Sequence, residues 1–234
     1  MKRKIRTFFR RFGYDIVKFK KGQMGIHPFY DMAKFVKSDQ PMLFDVGANV
    51  GQTIKDFKEV FKHCTIHAFE PSPDTFGILK RNTNSIKHLH LWNYGVGAKR
   101  GELLLNEYDH SNTNSFLNIA IESKNPIKQT PVDIITVDAF CDTNSITKID
   151  VLKIDTEGFE LEVLKGASSL LSNNSIGLLF LEVSFANTYQ GMPSFTELYN
   201  FVLKQGFDLV SIYPISYRNN MAVYTNILFK HTSY

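Results

Sequence analysis

The sequence predicts an α/β fold with a mostly parallel sheet, helices on both of its faces and an antiparallel hairpin at its end. Short apolar runs alternate with segments of helical periodicity from Pro41 onward. The run Gly177–Val183 is almost wholly apolar, as is typical of a strand buried on both faces. The last two apolar runs are joined by a short connection near Asn219, which favours antiparallel pairing.

The alternation assigns the elements in chain order. The predicted strands are Met42–Val46, Thr65–Phe69, His88–Val96, Glu102–Tyr108, Val132–Val137, Val151–Ile154, Gly177–Val183, Asp208–Tyr213 and Ala222–Phe229. The predicted helices are Gln52–Lys62, Pro73–Asn82, Phe159–Leu171 and Phe195–Lys204. Apolar residues at helical spacing, such as Ile54, Phe57 and Phe61, support these helices. The segment Asp109–Asn118 is rich in serine and asparagine and is predicted to be a loop.

The N-terminal segment is strongly basic, and residues 4–20 are predicted to form an amphipathic helix. Residues 1–21 contain nine basic residues and one acid, a net charge of +8, so the rest of the chain carries −4. Phe9, Phe12, Ile16 and Phe19 recur at helical spacing. Such a helix either docks on an anionic membrane surface or acidic partner, or packs its phenylalanine face on the domain. We expect an arm over residues 1–40 and a single domain over residues 41–234.

Composition excludes several classes of protein. Hydrophobic residues make up 43% of the chain and charged residues 21%, as in ordinary globular proteins. No apolar run reaches the roughly 18 residues of a membrane-spanning helix, and the start lacks the apolar core of a secretory signal. Cys64 and Cys141 are too few for a disulfide framework, which favours the cytoplasm. The acidic balance outside the arm gives no reason to expect a nucleic-acid partner.

A glycine-containing turn follows the first predicted strand, in the sequence F-D-V-G-A-N-V-G. Ligands of open α/β sheets bind at the carboxyl ends of the strands. Gly47 and Gly51 would let the backbone approach such a ligand closely. Asp45 at the strand end can pair with a cationic group such as the α-ammonium of S-adenosylmethionine.

The next strand ends in the sequence H-A-F-E-P, where Glu70 lies 19 residues after Gly51. A carboxylate at this position can accept hydrogen bonds from both ribose hydroxyls of an adenosine cofactor. NAD is the main alternative ligand. Asp45 would, however, place negative charge where a pyrophosphate needs helix amides. The pattern therefore favours an adenosine ligand with a cationic end.

A second acidic motif, K-I-D-T-E-G-F-E, follows the strand Val151–Ile154. It places Asp155, Glu157 and Glu160 beside the predicted cofactor cleft. Glu182 ends the next buried strand, where a carboxylate is costly unless it is paired, coordinated or solvated.

Taken together, F-D-V-G-A-N-V-G, H-A-F-E-P, L-K-I-D-T-E-G-F-E-L-E-V-L-K-G-A and L-E-V resemble the FkbM family of S-adenosylmethionine-dependent methyltransferases over roughly residues 42–230. The resemblance implies a Rossmann-like class I methyltransferase fold and methyl transfer, usually to a hydroxyl oxygen of a sugar in a glycolipid, surface polysaccharide or glycosylated natural product. By position, the resemblance assigns cofactor binding to Asp45, Gly47, Asn49, Gly51 and Glu70. It assigns the second signature to Asp155, Glu157, Gly158 and Glu160.

These residues lead to a mechanistic hypothesis. A sugar hydroxyl is a weak nucleophile, so a carboxylate base or a metal is expected. We expect Asp155 to act as base or metal ligand with Glu182 as its partner, and Glu157 and Glu160 to shape the same catalytic wall. The metal, if used, would be Mg²⁺ or another divalent cation, because hard cations prefer oxygen ligands. A capping role at the start of a helix is the alternative for Glu160.

Several alternatives to a glycan acceptor stay open on the sequence. They are methylation of a small-molecule or natural-product hydroxyl, an NAD-dependent sugar-modifying oxidoreductase or epimerase, and a noncatalytic cofactor-binding subunit. A lipid-linked sugar acceptor would suit a protein whose basic arm over residues 1–21 contacts the inner face of the membrane. The sequence predicts no oligomeric state.

Overall fold

A computed structural model describes residues 2–14, 22–120 and 125–234. The helices are α1 (Lys2–Arg10), α2 (Pro28–Met32), α3 (Gln52–Val60), α4 (Pro73–Thr83), α5 (Val137–Thr143), α6 (Glu160–Lys165), α7 (Ser168–Ser172) and α8 (Phe195–Lys204). The strands are β1 (Met42–Val46), β2 (Thr65–Phe69), β3 (Leu89–Trp92), β4 (Gly95–Val96), β5 (Gly101–Glu107), β6 (Lys128–Ile135), β7 (Ile149–Ile154), β8 (Ile176–Ser184), β9 (Phe207–Ile212), β10 (Ser216–Arg218) and β11 (Met221–His231).

The main sheet confirms the predicted fold class. Its strand order is β10-β11-β8-β7-β1-β2-β3, and β9 also pairs with β11. All neighbours from β8 to β3 are parallel, whereas β11 runs antiparallel to β8, β9 and β10. The carboxyl ends of β1, β2, β7 and β8 therefore lie along one edge of the sheet, which is where the predicted site residues follow.

Each face of the main sheet is covered by its own hydrophobic cluster. Phe44 and Leu152 point to one face, together with α5–α8, while Leu43 and Val151 point to the other, together with α2–α4. This alternation follows from the two-residue period of a strand, and burial on both faces explains why β7 and β8 are almost continuously apolar.

Two of the predicted elements are interrupted. The predicted strand His88–Val96 is wrong as a single strand: β3 belongs to the main sheet, and β4 joins β5 and β6 in a separate three-stranded sheet. The predicted helix Phe159–Leu171 is divided into α6 and α7. At the break, a Cβ added to Gly166 would lie 2.1 Å from the carbonyl oxygen of Gly97, so the chain passes too close to that segment for a side chain. Helix α5 was not predicted.

The N-terminal segment differs from the predicted helix over residues 4–20. Helix α1 ends at Arg10, and the chain turns through residues 11–13, where Gly13 has φ +81°. Phe8 and Phe12 are 56% and 65% exposed, so these side chains do not pack on the domain. Ile16 and Phe19 lie outside the described residues.

Helix α2 packs into the core although it precedes residue 41. Phe29 and Met32 are buried in the same cluster as Phe57 and Phe180. The expected division into residues 1–40 and 41–234 stays a prediction, but residues 28–32 share the core of the domain. None of the helices in the described part of the chain is long and apolar enough to cross a membrane.

Candidate active site

The turn after β1 is shaped by a close approach of two strand ends. Gly47 has φ +78°, and a Cβ added there would lie 1.8 Å from the carbonyl oxygen of Asp155. The amide of Asp155 also donates to the carbonyl of Val46 at 3.1 Å. Only glycine fits this conformation and this contact, so Gly47 holds the carboxyl ends of β1 and β7 together. Gly51, at φ +96°, precedes the first turn of α3.

A buried ion pair lies beneath this turn. Lys153 Nζ is 2.9 Å from Asp45 Oδ1 and 3.5 Å from Asp155 Oδ2, and it donates to the carbonyl of Gly47 at 2.8 Å. Asp45 is fully buried and Lys153 is 4% exposed. Burial disfavours the charge on Lys153, but Asp45 and then Asp155 outweigh it and raise the pKa of the amine. Burial raises the pKa of Asp45, and Lys153 offsets part of that rise.

Glu70, at the end of β2, is held by backbone amides on both of its oxygens. Oε2 accepts from Asn49 N at 2.9 Å, and Oε1 accepts from Ser72 N at 3.0 Å. Burial raises the pKa of Glu70 to about 7, although these two N–H groups favour the carboxylate. Each carboxylate oxygen keeps accepting capacity for a further donor. Asn93 fixes this strand end, because its side chain donates to the carbonyls of Glu70 and Pro71.

Glu70 lines a cavity with one largely apolar wall. That wall is formed by Val46, Phe69, Tyr94, Val96, Leu105 and Phe116. Gly95 allows Phe116 to reach it, since a Cβ on Gly95 would lie 2.6 Å from the phenylalanine ring. An apolar wall with a carboxylate beside it suits an adenine ring and its ribose. We call this space the Glu70 cavity.

A second cavity contains the acidic motif. Asp155, Glu157 and Glu182 all line it, and each offers an oxygen within 4.8 Å of the others. Burial, followed by the repulsion of Asp155, raises the pKa of Glu157 to about 8. Burial and the charges of Asp155, Glu157 and Glu160 raise the pKa of Glu182 to about 10. We call this space the acidic cleft.

The acidic cleft and the Glu70 cavity meet. Asp155 and Glu157 line both spaces, whereas Glu182 lines only the acidic cleft. The segment K-I-D-T-E-G therefore forms the wall at which a ligand of one cavity would contact a ligand of the other.

Glu160 has a distinct position. It is 4% exposed, and its Oε1 accepts hydrogen bonds from Thr156 N, Thr156 Oγ1 and Gly158 N. These bonds fix the turn that carries Glu157, which adopts the left-handed conformation with φ +53°. Glu160 also lines the acidic cleft, so it belongs to the wall that the sequence predicts for it while its Oε1 binds the turn before α6.

Comparison with known proteins places this geometry in a family. A model of the methyltransferase FkbM domain matches residues 45–209, which include the glycine turn, Glu70, the acidic motif and Glu182. The chain belongs to the FkbM methyltransferase family. The resemblance in the four sequence motifs is thereby confirmed.

Curated relatives of this FkbM domain are also methyltransferases. Methyltransferase 1 of Beauveria bassiana is 27% identical over 64% of this chain and 67% of its own length. Hexuronic acid methyltransferase AglP of Haloferax volcanii is 30% identical over 62% of this chain, which matches only 56% of the AglP chain. The 2-O-methyltransferase NoeI of Sinorhizobium fredii is 20% identical over 78% of this chain and 79% of its own length.

Solved structures agree on the fold. A TrmK from M. capricolum, solved with S-adenosyl-homocysteine, has a TM-score of 0.50 at 10% identity and covers 91% of this chain and 70% of its own. A ribosomal RNA methylase from Streptococcus thermophilus has a TM-score of 0.51 at 11% identity and covers 93% of this chain and 100% of its own. The Rossmann-like methyltransferase fold is thus confirmed.

The loop predicted at Asp109–Asn118 covers the FkbM site. Ser111 Oγ donates to Asn49 Oδ1 at 2.9 Å, and Ser115 Oγ donates to the carbonyl of Glu157 at 2.7 Å. Asn112 lines both cavities. The predicted loop therefore forms a wall of the site, between the glycine turn and the acidic motif.

Sequence reasoning missed several residues of this site. The sequence analysis gives Lys153 no role, although a lysine inside a buried strand indicates a charged partner. Tyr189, whose hydroxyl donates to Glu157 Oε2 at 2.9 Å, and Arg218, which lines the acidic cleft, had no signal in the local sequence. They reach the site only because β8 and β11 pair beside it.

Proposed function

We propose that this protein transfers a methyl group from S-adenosylmethionine to a hydroxyl oxygen of a sugar in a surface polysaccharide, glycolipid or related glycan. One observation carries the proposal: Asp155 and Glu157 line the Glu70 cavity and the acidic cleft together. A donor in the first space and an acceptor in the second would meet at these two carboxylates, as group transfer requires.

The residues around the Glu70 cavity fit the proposed cofactor. S-adenosylmethionine supplies an electrophilic methyl group on a positively charged sulfur. Glu70 would accept the ribose hydroxyls, and the wall containing Tyr94 and Phe116 would enclose the adenine. The sequence predicts that Asp45 pairs with the α-ammonium group of the cofactor. In the structure the Asp45 carboxylate forms an ion pair with Lys153. We therefore assign Asp45 to holding the turn, so that Gly47 and Asn49 present their backbone to the cofactor.

The acidic cleft supplies the chemistry for the acceptor. In the proposed reaction the hydroxyl oxygen of the acceptor would form a bond to the methyl carbon while the bond from that carbon to sulfur breaks, leaving neutral S-adenosylhomocysteine. Asp155 would accept the hydroxyl proton. The side chain of Asp155 is 35% exposed, so an acceptor can reach it. Lys153 and Glu160 would be positioning residues. Lys153 holds the Asp155 carboxylate by charge, and Glu160 holds the turn that carries Glu157 by hydrogen bonds.

A divalent cation fits the same carboxylates. Asp155 and Glu182, with Glu157 as a third ligand, offer the hard oxygen donors that Mg²⁺ prefers. A bound cation would also stabilise the ionised form of Glu182, whose pKa is otherwise raised to about 10. Such an ion would lower the pKa of an acceptor hydroxyl beside Asp155.

The names of two relatives support a sugar oxygen as the acceptor. AglP is a hexuronic acid methyltransferase and NoeI is a 2-O-methyltransferase. The matched segment of this chain spans 56% of the length of AglP and 79% of that of NoeI.

The N-terminal arm supports a location at the inner face of a membrane. Ile5, Phe8 and Phe12 are 47%, 56% and 65% exposed, and they belong to the strongly basic segment of residues 1–21. Exposed aromatic side chains among basic residues suit an anionic lipid surface. The arm would keep a cytoplasmic enzyme near a lipid-linked sugar. Replacing Phe8 and Phe12 by serine should lower binding to anionic vesicles while cofactor affinity stays unchanged; undiminished vesicle binding contradicts the assignment.

The proposed function is tested by transfer of a labelled methyl group from S-adenosylmethionine to a cell-envelope glycan extract, with and without EDTA. Asp155→Asn should abolish incorporation, whereas Asp142→Asn, at an exposed position outside both cavities, should not. Inhibition by EDTA supports the metal. Calorimetry must also show binding of S-adenosylmethionine and S-adenosylhomocysteine in preference to NAD; preferential binding of NAD contradicts the proposed cofactor.

A further inference from the structure

A rigid hairpin carries an arginine into the acidic cleft. Strands β10 and β11 are joined at Asn219 and Asn220, both of which have positive φ, at +50° and +62°. Arg218 pairs directly with Met221 across this two-residue turn. Such left-handed turns match the natural twist of a hairpin and fix the direction of the flanking residues. The backbone that presents Arg218 is therefore well defined.

Arg218 faces the acids of the cleft without pairing with them. It lines the same space as Asp155, Glu157 and Glu182, yet its guanidinium forms no ion pair or hydrogen bond with any side chain in the described part of the protein. Arg218 is also exposed, so its guanidinium is open to a ligand of the cleft.

The position of Arg218 identifies the ligand it serves. It lines the acidic cleft but not the Glu70 cavity, so its side chain belongs to the space proposed for the acceptor. Tyr224 lines the same cleft from β11. An aromatic ring and an arginine in one cleft suit a sugar that carries an anionic group, because the aromatic ring can cover the apolar face of the sugar and the guanidinium can pair with the charge.

We propose that Arg218 is a specificity-determining residue that selects acceptors carrying an anionic group, such as the carboxylate of a uronic acid, a phosphate or a sulfate. The inference rests on the proposed function and narrows its substrate class. The guanidinium of Arg218 attracts an anion and the carboxylate of Asp155 repels one, so the acceptor is oriented with its acidic group toward Arg218 and a hydroxyl toward Asp155. Arg218 thus sets orientation as well as affinity.

The test measures binding first and needs no knowledge of the natural acceptor. The full chain, saturated with S-adenosylhomocysteine, is titrated with a glucuronic acid oligosaccharide and with its carboxyl-reduced, neutral counterpart. Phosphorylated and sulfated forms of the neutral sugar distinguish the anionic groups. The side chain of Arg218 is exposed, so the wild type should bind at least one acidic form about 5-fold more tightly than the neutral form, a difference of about 1 kcal/mol.

The variant Arg218→Gln should remove this preference and leave affinity for S-adenosylhomocysteine and for the neutral sugar within about 2-fold. Arg100→Gln is the matched control, because Arg100 is exposed and lines neither cavity. Equal binding of all forms by the wild type overturns the inference, as does a preference that survives in Arg218→Gln.

Methyl transfer separates this inference from the proposed function. If neutral glycans accept methyl groups and Arg218→Gln changes nothing, the inference fails and the proposed function stands. If acidic sugars bind through Arg218 but no sugar is ever methylated, the proposed function fails instead. A loss of kcat with neutral acceptors in Arg218→Gln would mean that the arginine acts on the carboxylates, which also overturns the inference.

Discussion

Replacing Lys153 by methionine removes the only described partner within ion-pair distance of the buried Asp45 carboxylate. The two charged groups are 2.9 Å apart. At an effective dielectric constant of about 20, their attraction is roughly 6 kcal/mol. The variant no longer buries an ammonium group, and the desolvation cost that it avoids offsets part of the lost attraction. We therefore expect Lys153→Met to lower the free energy of unfolding by about 3–5 kcal/mol, the usual cost of breaking a buried pair from one side.

A second variant separates the bare charge from the loss of lysine. In Asp45→Asn/Lys153→Met no unpaired carboxylate is left under the turn, so the double variant should be more stable than Lys153→Met alone. Lys148→Met is the control. Its amine lies 3.2 Å from Asp150, but the lysine side chain is 54% exposed, so the change should cost less than about 1 kcal/mol.

The measurement is urea denaturation of the four proteins at pH 7, followed by circular dichroism. The reasoning is refuted if Lys153→Met unfolds within about 1 kcal/mol of the wild type. It is also refuted if the double variant is less stable than Lys153→Met, because the penalty would then come from lost packing and not from the uncompensated charge.

The remaining predictions concern the turn, the cofactor and pH. Gly47→Ala should lower the free energy of unfolding by more than about 3 kcal/mol in the same denaturation assay, because the added Cβ would collide with the Asp155 carbonyl. Gly191 also has a positive φ but has open space around it, so Gly191→Ala should cost only about 1–2 kcal/mol. Equal costs for the two variants would contradict the close approach at Gly47. Glu70→Gln should weaken binding of S-adenosylmethionine at least 10-fold by calorimetry, a loss of about 1.4 kcal/mol, and unchanged affinity removes Glu70 from the site. In the folded protein the pKa values of Glu157 and Glu182 are raised to about 8 and about 10, above those of the unfolded chain. The folded state therefore favours the protonated side chains. The free energy of unfolding falls as pH rises through the folded-state pKa values. In the presence of EDTA, the free energy of unfolding should therefore fall between pH 6 and pH 10. Glu182→Gln should make this decrease smaller by at least about 1 kcal/mol. Parallel profiles for the two proteins would show that the pKa of Glu182 is not raised by folding.

The strands that carry the site were predictable because they are short, apolar and followed by unusual residues. The bounds of β1 and β2 match the prediction, and the positions of Gly47 and Glu70 follow from where those strands end. A carboxylate at a strand end is visible in the sequence as a break in the apolar pattern. The order of the strands makes these ends neighbours, which the α/β alternation already implied.

The divisions of the elements were not predictable from periodicity alone. The break between β3 and β4 depends on Asn93, whose side chain bonds to the carbonyls after β2. The break between α6 and α7 depends on the packing of Gly166 against Gly97. Both are long-range contacts that leave the local apolar spacing unchanged. Helix α5 had a local signal, since Thr136 caps it by accepting from Ala139 N.

The site was predictable in its residues and less so in their roles. The sequence placed Asp45 among the ligand-binding groups because it ends β1, but its side chain points below the turn to Lys153. For Glu160 the sequence left open a place in the catalytic wall and a structural role at the start of the helix; its Oε1 accepts from two backbone amides and the Thr156 hydroxyl, and the residue also lines the cleft. The direction in which a side chain points at a strand end or in a first helical turn depends on its tertiary partner. The partner of Asp45 is Lys153, and that of Glu160 is the turn at Thr156.

The central claim is that a methyl group passes to a sugar oxygen where the Glu70 cavity meets the acidic cleft. The most direct measurement is mass spectrometry of surface glycans from cells that lack this protein and carry either the wild-type chain or Asp155→Asn. We expect a sugar to gain the mass of one methylene, on a hydroxyl oxygen, only with the wild type. Identical glycan masses in the two strains would contradict it.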